Sequence, residues 1–249
     1  MKIYIVIPAR LASSRLPNKV ILPLAGKPMV QWVFEAARKV DGVAEVLVAT
    51  DNQEVFDHVT HFGGTAIMTS SHHLSGTDRI GEVAGLVKEA DVFINIQGDE
   101  PMISPETIQE MVDFYKTGGS GIVTLYTSIS DDRQLFDFNV VKLTKTTDDQ
   151  ILYFSRNAIP AQRDYPYKDW LKHATYYRHI GMYGFDRKSL EQICLLPQSK
   201  LEKAEVLEQL RWLENGFHIK GIHSDHHGVG VDTAEDLLKA EQKLMEKER

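Results

Sequence analysis

One cysteine, Cys194, in 249 residues excludes an intrachain disulfide and fits a reducing compartment. No run approaches the roughly 18 apolar residues of a membrane span, so no membrane insertion is expected. The strand-like start at Lys2 has no charged-then-apolar leader before it, and the expected address is the cytoplasm. Positive charge is also in short supply: 28 basic against 35 acidic residues give a formal net charge of −7. Non-specific attraction to nucleic acid or anionic membranes is thereby disfavoured. What is present is ordinary globular composition, 43% hydrophobic and 25% charged, in a chain long enough to bury a core without staples.

Short apolar runs alternate with helical periodicity. Ile3 to Ile7, Val46 to Ala49, Ala66 to Met68 and Val92 to Ile96 read as strands. Between them, Met29 to Val40, Val55 to Phe62 and Ile80 to Val87 recur at helical spacing. Ser104 and Pro105 predict a capped helix running towards Tyr115. Further strands are expected at Gly121 to Ile129, Val140 to Thr144, Ile151 to Phe154 and His179 to Phe185. A helix is expected through Ala204, Leu207, Leu210 and Leu213, opened by a Ser199/Glu202 capping box. The pattern predicts an α/β, three-layer, Rossmann-like fold with a mixed, mainly parallel sheet. It is read as one domain over 1–249, with a less regular, substrate-side subregion near 130–220.

In such sheets ligands bind at the carboxyl ends of strands. The loop after the first strand runs from Pro8 to Lys19 and matches neither G-x-G-x-x-G nor a P-loop. It gathers Arg10, Arg15 and Lys19 within ten residues of an acidic chain, which suits a polyanion such as a nucleoside triphosphate. Asp99 follows a buried strand, and Asp232 lies in Gly230-Val231-Asp232-Thr233. Each can be read as a Mg²⁺ ligand, or as a turn residue (Asp99) and a helix N-cap (Asp232). His223, His226 and His227 with Asp225 lack the partner cysteines of a zinc site and read as a polar loop. Cys194, among Ile193, Leu195 and Leu196, reads as a small apolar residue.

Taken in order, Ile7 to Lys19, Gly26-Lys27-Pro28-Met29, Ser75-Gly76-Thr77-Asp78-Arg79 and Gln97-Gly98-Asp99-Glu100-Pro101 resemble the 3-deoxy-manno-octulosonate cytidylyltransferases. The likeness continues through Tyr153-Phe154-Ser155-Arg156, Arg178 to Tyr183, Leu207 to Arg211 and Gly230 to Thr233. The resemblance implies a homodimeric, Mg²⁺-dependent enzyme that joins CMP from CTP to an eight-carbon acidic sugar (Kdo) for lipopolysaccharide biosynthesis. By the same resemblance Arg10, Arg15 and Lys19 would hold the triphosphate. Pro8, Ala9, Ser75, Gly76 and Gln97 would line the nucleotide pocket, and Asp99 and Asp232 would bind the metal. Arg156, His179, Tyr183, Glu208 and Gln209 would face the sugar. Two departures stand out. Asn18 occupies a place where glycine is common, and asparagine tolerates the left-handed backbone. The approach His226-His227-Gly228-Val229 is also unusual, which keeps open an 8-amino analogue of the sugar, favoured if Asp225 or Glu208 lies near its end. Activation of a different acidic sugar, or a non-catalytic protein that binds CTP or a CMP-sugar, are the alternatives.

Overall fold

The computed structural model describes residues 1–11, 16–225, 230–231 and 233–247. The strands are β1 (Ile3–Pro8), β2 (Pro23–Leu24), β3 (Lys27–Pro28), β4 (Glu45–Thr50), β5 (Thr65–Met68), β6 (Val92–Asn95), β7 (Ile122–Ile129), β8 (Lys142–Lys145), β9 (Ile151–Ser155), β10 (Tyr176–Asp186) and β11 (Ile219–His223). The helices are α1 (Met29–Ala37), α2 (Gln53–His61), α3 (Gly76–Leu86), α4 (Pro105–Lys116), α5 (Asp132–Phe136), α6 (Trp170–His173), α7 (Arg187–Ile193), α8 (Lys200–Glu205), α9 (Gln209–Glu214) and α10 (Ala234–Lys247).

The main sheet runs β5-β4-β1-β6-β10-β7-β11, with the β8–β9 hairpin attached to β10. β5, β4, β1 and β6 are mutually parallel. β10 runs antiparallel to both β6 and β7, and β11 is parallel to β7. The apolar runs of the central strands are explained by burial on both faces. Because side chains alternate, Ile3, Ile5 and Ile7 of β1 enter one core cluster with Val46, Val48, Val92 and Ile94. Tyr4 and Val6 enter a second with Leu47, Ala49 and Phe93. α1, α2 and α4 cover the first face through Val33, Val55 and Met111. α3, α7 and α9 cover the other through Ile80, Leu190 and Trp212. That is the three-layer arrangement the periodicity predicts.

β1 has β4 on one side and β6 on the other, so the chain reverses its direction of winding at β1. The loops after β1 and β6 therefore diverge from adjacent carboxyl ends and leave a crevice there.

Two sequence expectations need correcting. The helix through Ala204 and Leu213 is two helices, because Val206 adopts a left-handed conformation (φ 53°) between α8 and α9. The capping box at its start is present as expected: the Ser199 hydroxyl accepts from Glu202 N, and Glu202 returns the bond to Ser199 N. In addition, His223 ends a strand, its ring edge-on to Tyr126 and its Nδ1 3.7 Å from the exposed Asp225. His226 and His227 lie outside the described residues.

Candidate active site

The crevice begins where β1 ends. Ala9 N–H donates to Ala49 O at 2.8 Å, which carries the parallel ladder one residue past Pro8. Ala9 is buried, Pro8 half-buried and Arg10 exposed. Arg15 lies outside the described residues. Asn18 sits at φ 58°, ψ 22°, the left-handed turn its residue type permits, and starts a single 3₁₀ turn over Lys19–Ile21. That turn aims Lys19 back into the crevice. Its Nζ lies 2.5 Å from Asp99 Oδ2, with the Lys19 side chain 10% exposed and that of Asp99 33%.

Asp99 arrives from β6. Gly98 is required on the way: a Cβ there would stand 3.1 Å from Pro8 O, so the loop packs directly on the end of β1. Glu100 N–H donates to Gln97 O and Ile103 N–H to Glu100 O, closing the turn. Val231 N–H donates to Asp99 O at 3.0 Å, bringing the far end of the chain to the same crevice. Asp232 itself lies outside the described residues. On the third side, the Ser75 hydroxyl caps α3 by accepting from Asp78 N. Gly76 packs so closely on β1 that a Cβ would meet Pro8 Cγ at 3.3 Å. Of the residues assigned to the nucleotide, Pro8, Ala9, Lys19 and Gly76 thus converge through these contacts, together with Asp99, assigned to the metal.

The sugar-side residues divide into two groups. Beneath Gly76 lies a polar cluster on the α3–α9 face of the sheet. Asn95 is fully buried and, among the described residues, neither atom of its carboxamide has a hydrogen-bond partner. It is the direct cross-strand neighbour of Tyr183, whose buried hydroxyl is also unpartnered. Tyr183 packs edge-on against Trp212 at 5.0 Å, and Trp212 Nε1 is a third buried donor without an acceptor. Glu208 accepts from the Thr77 hydroxyl through Oε1 at 3.0 Å, while its Oε2 is buried and unpartnered. Desolvation raises the Glu208 pKa, with Asp78 adding to it and the Ser75 and Thr77 hydroxyls opposing. Burial likewise drives the Tyr183 phenol well above its ordinary value. Gln209, buried, opens α9 beside them. Unmet donors and acceptors of this kind suit a hydroxyl-rich ligand.

The second group lies along β10. Between Ile180 and Tyr183 the pairing with β7 slips, so β10 carries extra residues at this point. Thr124 ties the irregularity: its hydroxyl donates to Met182 O at 2.7 Å and lies 2.8 Å from His179 Nε2. A hydroxyl has one proton, so His179 Nε2 must be the donor in the second bond and Nδ1 carries the lone pair. Desolvation, aided by Arg178, lowers the His179 pKa to about 3. The ring is therefore a neutral hydrogen-bonding group at physiological pH. A cavity of about 260 Å³ opens here, lined by Glu100, Asn139, Arg178, His179, Gly181 and Gly230 among others.

Arg156, assigned to the sugar by the resemblance, gives three of its five N–H groups to the main chain. Its Nε donates to Glu205 O at 2.6 Å, Nη1 to Phe138 O at 3.0 Å and Nη2 to Val206 O at 3.2 Å. The guanidinium thus satisfies the terminal carbonyls of α8 and fixes the turn that delivers Glu208. Arg178 and Asn95 are the residues that sequence reasoning missed. Arg178 was quoted within a motif but given no role, and a lone asparagine in an apolar strand is the only trace of the second. Cys194 behaves as expected, with burial pushing its thiol up to about 12.

The geometry thus joins a crevice at the reversal point of a mainly parallel sheet, a lysine–aspartate pair and a cluster of buried polar groups. A family profile described as Cytidylyltransferase matches residues 4–222. The chain is 44% identical over 245 residues to the 3-deoxy-manno-octulosonate cytidylyltransferase of Parabacteroides distasonis, covering 96% of this chain and 97% of that one. Identity to the enzyme of the same name from Phocaeicola vulgatus is 44% over 253 residues, covering 100% and 99%. A solved structure of CMP:2-keto-3-deoxy-manno-octonic acid synthetase complexed with CTP superimposes with a TM-score of 0.92 at 42% identity, over 99% of this chain and 100% of that one. The chain therefore belongs to the cytidylyltransferase family and, within it, groups with the 3-deoxy-manno-octulosonate cytidylyltransferases.

Proposed function

We propose that the protein transfers the cytidylyl group of CTP to the anomeric hydroxyl of 3-deoxy-manno-octulosonate, giving the CMP-sugar and pyrophosphate for lipopolysaccharide assembly. The observation that carries this reading is the Lys19–Asp99 pair, 2.5 Å apart in a crevice bounded by β1, β6 and the start of α3. The sugar oxygen attacks the α-phosphorus, the bridging P–O bond to the β-phosphate breaks, and pyrophosphate leaves with the electron pair. Such a displacement needs alignment and charge stabilisation more than covalent help. Lys19, with Arg10 and Arg15, would bind the phosphate oxygens, while Ser75, Gly76 and Gln97 would border the cytidine. His179, Tyr183, Glu208 and Gln209 would hold the hydroxyls of the sugar.

The Asp99 carboxylate is a hard, partly exposed oxygen donor, which fits Mg²⁺, an ion that takes one or two protein carboxylates and otherwise phosphate and water. Asp99, joined by Asp232, would hold it. When bound, the ion would polarise the phosphate oxygens and neutralise developing charge. One domain, a cytoplasmic address and a homodimer complete the proposal, the last supported by Phe136, Phe138 and Tyr167, which are 39%, 63% and 69% exposed.

The test is pyrophosphate release with CTP, Mg²⁺ and either the sugar acid or its 8-amino analogue. We expect turnover with the former, and a loss of about a hundredfold or more in Asp99→Asn, the scale for removing one transition-state electrostatic group. CTP binding without pyrophosphate release would make this a binding protein. Near-normal turnover of Asp99→Asn at saturating Mg²⁺ would remove the metal assignment.

A further inference from the structure

We propose that Arg178 recognises the carboxylate of the sugar acid, an assignment that rests on the reading just given. A guanidinium offers five donors in a planar fork that matches a carboxylate. The resemblance has Arg156 facing the sugar, but its Nε and Nη2 donate to Glu205 O and Val206 O at the α8–α9 break and its Nη1 to Phe138 O. Arg178 is the opposite case. It lines the 260 Å³ cavity, and its Nε is buried with no hydrogen-bond acceptor among the described residues. A buried, unpaired charged donor is costly unless a ligand completes it.

The charges around it are consistent with that role. Glu100 is the carboxylate acting on Arg178 and favours its charged form, while burial works against it. Glu100 lines the same cavity and reaches across it: a Cβ on Gly181 would lie 3.5 Å from its Oε1, and one on Gly230 3.9 Å from its Cγ. His179, next to Arg178 on β10 and also lining the cavity, is neutral with Nδ1 as an acceptor, so it adds no competing cation. The cavity thus presents an unmatched guanidinium Nε together with the Glu100 carboxylate and the neutral His179 ring, donors and acceptors that a polyhydroxy acid can meet. Asp99, next in sequence to Glu100, ties this carboxylate subsite to the phosphate crevice.

The experiment uses a sugar analogue that lacks the reacting hydroxyl, as the free acid and as its primary carboxamide. Dissociation constants are measured by calorimetry with CTP and Mg²⁺ present. The wild-type protein should bind the acid about 100-fold more tightly than the amide, the scale for a hydrogen-bonded charge pair. In Arg178→Gln that preference should fall to within about threefold, with Arg178→Lys between the two and the dissociation constant for CTP unchanged. An acid-over-amide preference preserved in Arg178→Gln would overturn the assignment. So would parallel loss of acid, amide and CTP binding, which marks a structural role. Wild-type pyrophosphate release is measured alongside: its absence would sink the cytidylyltransferase reading, whereas its presence confines a failure to Arg178.

Discussion

Replacing Glu208 by glutamine tests the link between the buried polar cluster and its function. In the native fold Glu208 Oε2 is sealed from solvent with no partner among the described residues, and desolvation holds the carboxyl pKa above its ordinary value. The folded state then binds more protons than the unfolded state from about pH 4.3 upwards, so stability falls as pH rises through the interval between the unfolded and folded values. Glutamine keeps the shape and the bond from Thr77 but removes the charge. An unsatisfied buried polar group costs about 1–3 kcal/mol and more when charged, so removing the charge should recover about 1 kcal/mol at pH 8. For a chain of this size that is roughly 2–4 °C in Tm. At pH 4, just below the unfolded value, most of the gain should be gone. Thermal unfolding followed by circular dichroism at pH 4, 6 and 8 measures it. The same variant should lose sugar-dependent turnover, because the unmet acceptor is the group offered to a hydroxyl. A variant no more stable than wild type at pH 8, or equally stabilised at all three values, would refute the reasoning.

Two further outcomes are expected. The His179 ring, its pKa lowered to about 3, should stay neutral in NMR titrations down to about pH 4. Stability should accordingly fall as pH drops below about 6.5, where the unfolded imidazole takes a proton that the folded one refuses, and His179→Asn should flatten that limb. Asn18→Gly should keep stability and CTP affinity, whereas Asn18→Val, forcing a β-branched residue to φ 58°, should cost about 1–2 kcal/mol and weaken CTP binding through misplaced Lys19. Urea unfolding and CTP titration read the two effects.

Much of the scaffold was legible in the sequence because its central strands are buried on both faces and its helices carry clear periodicity. β1, β4 and β6 stand out as unbroken apolar runs, and Ser104 accepts from Thr107 N as a cap before Pro105. β11 escaped notice for a definite reason. Gly221 weakens its strand signal, yet a Cβ there would approach Ile151 Cδ1 and Tyr126 Cε1 to 2.9 Å, so the glycine is what allows the strand to pack. The α8–α9 break was hidden because Val206, a β-branched residue in the left-handed region, is the last type expected to end a helix. Its own carbonyl and that of Glu205 are held by Arg156, and that long-range clamp has no local signature. Arg178 was passed over for a related reason: which of two arginines has spare donors depends on tertiary contacts alone.

The pairing of β10 carries one last consequence. This strand joins the parallel half of the sheet to β7 and to the β8–β9 hairpin, and it bears Arg178, His179 and Tyr183 along its length. The groups assigned to the donor hang mainly from loops of the parallel half, whereas Arg178, His179 and Tyr183 on the acceptor side share β10. Divergence in which acid is accepted can thus proceed on one ribbon of the molecule while the machinery for the donor is inherited intact.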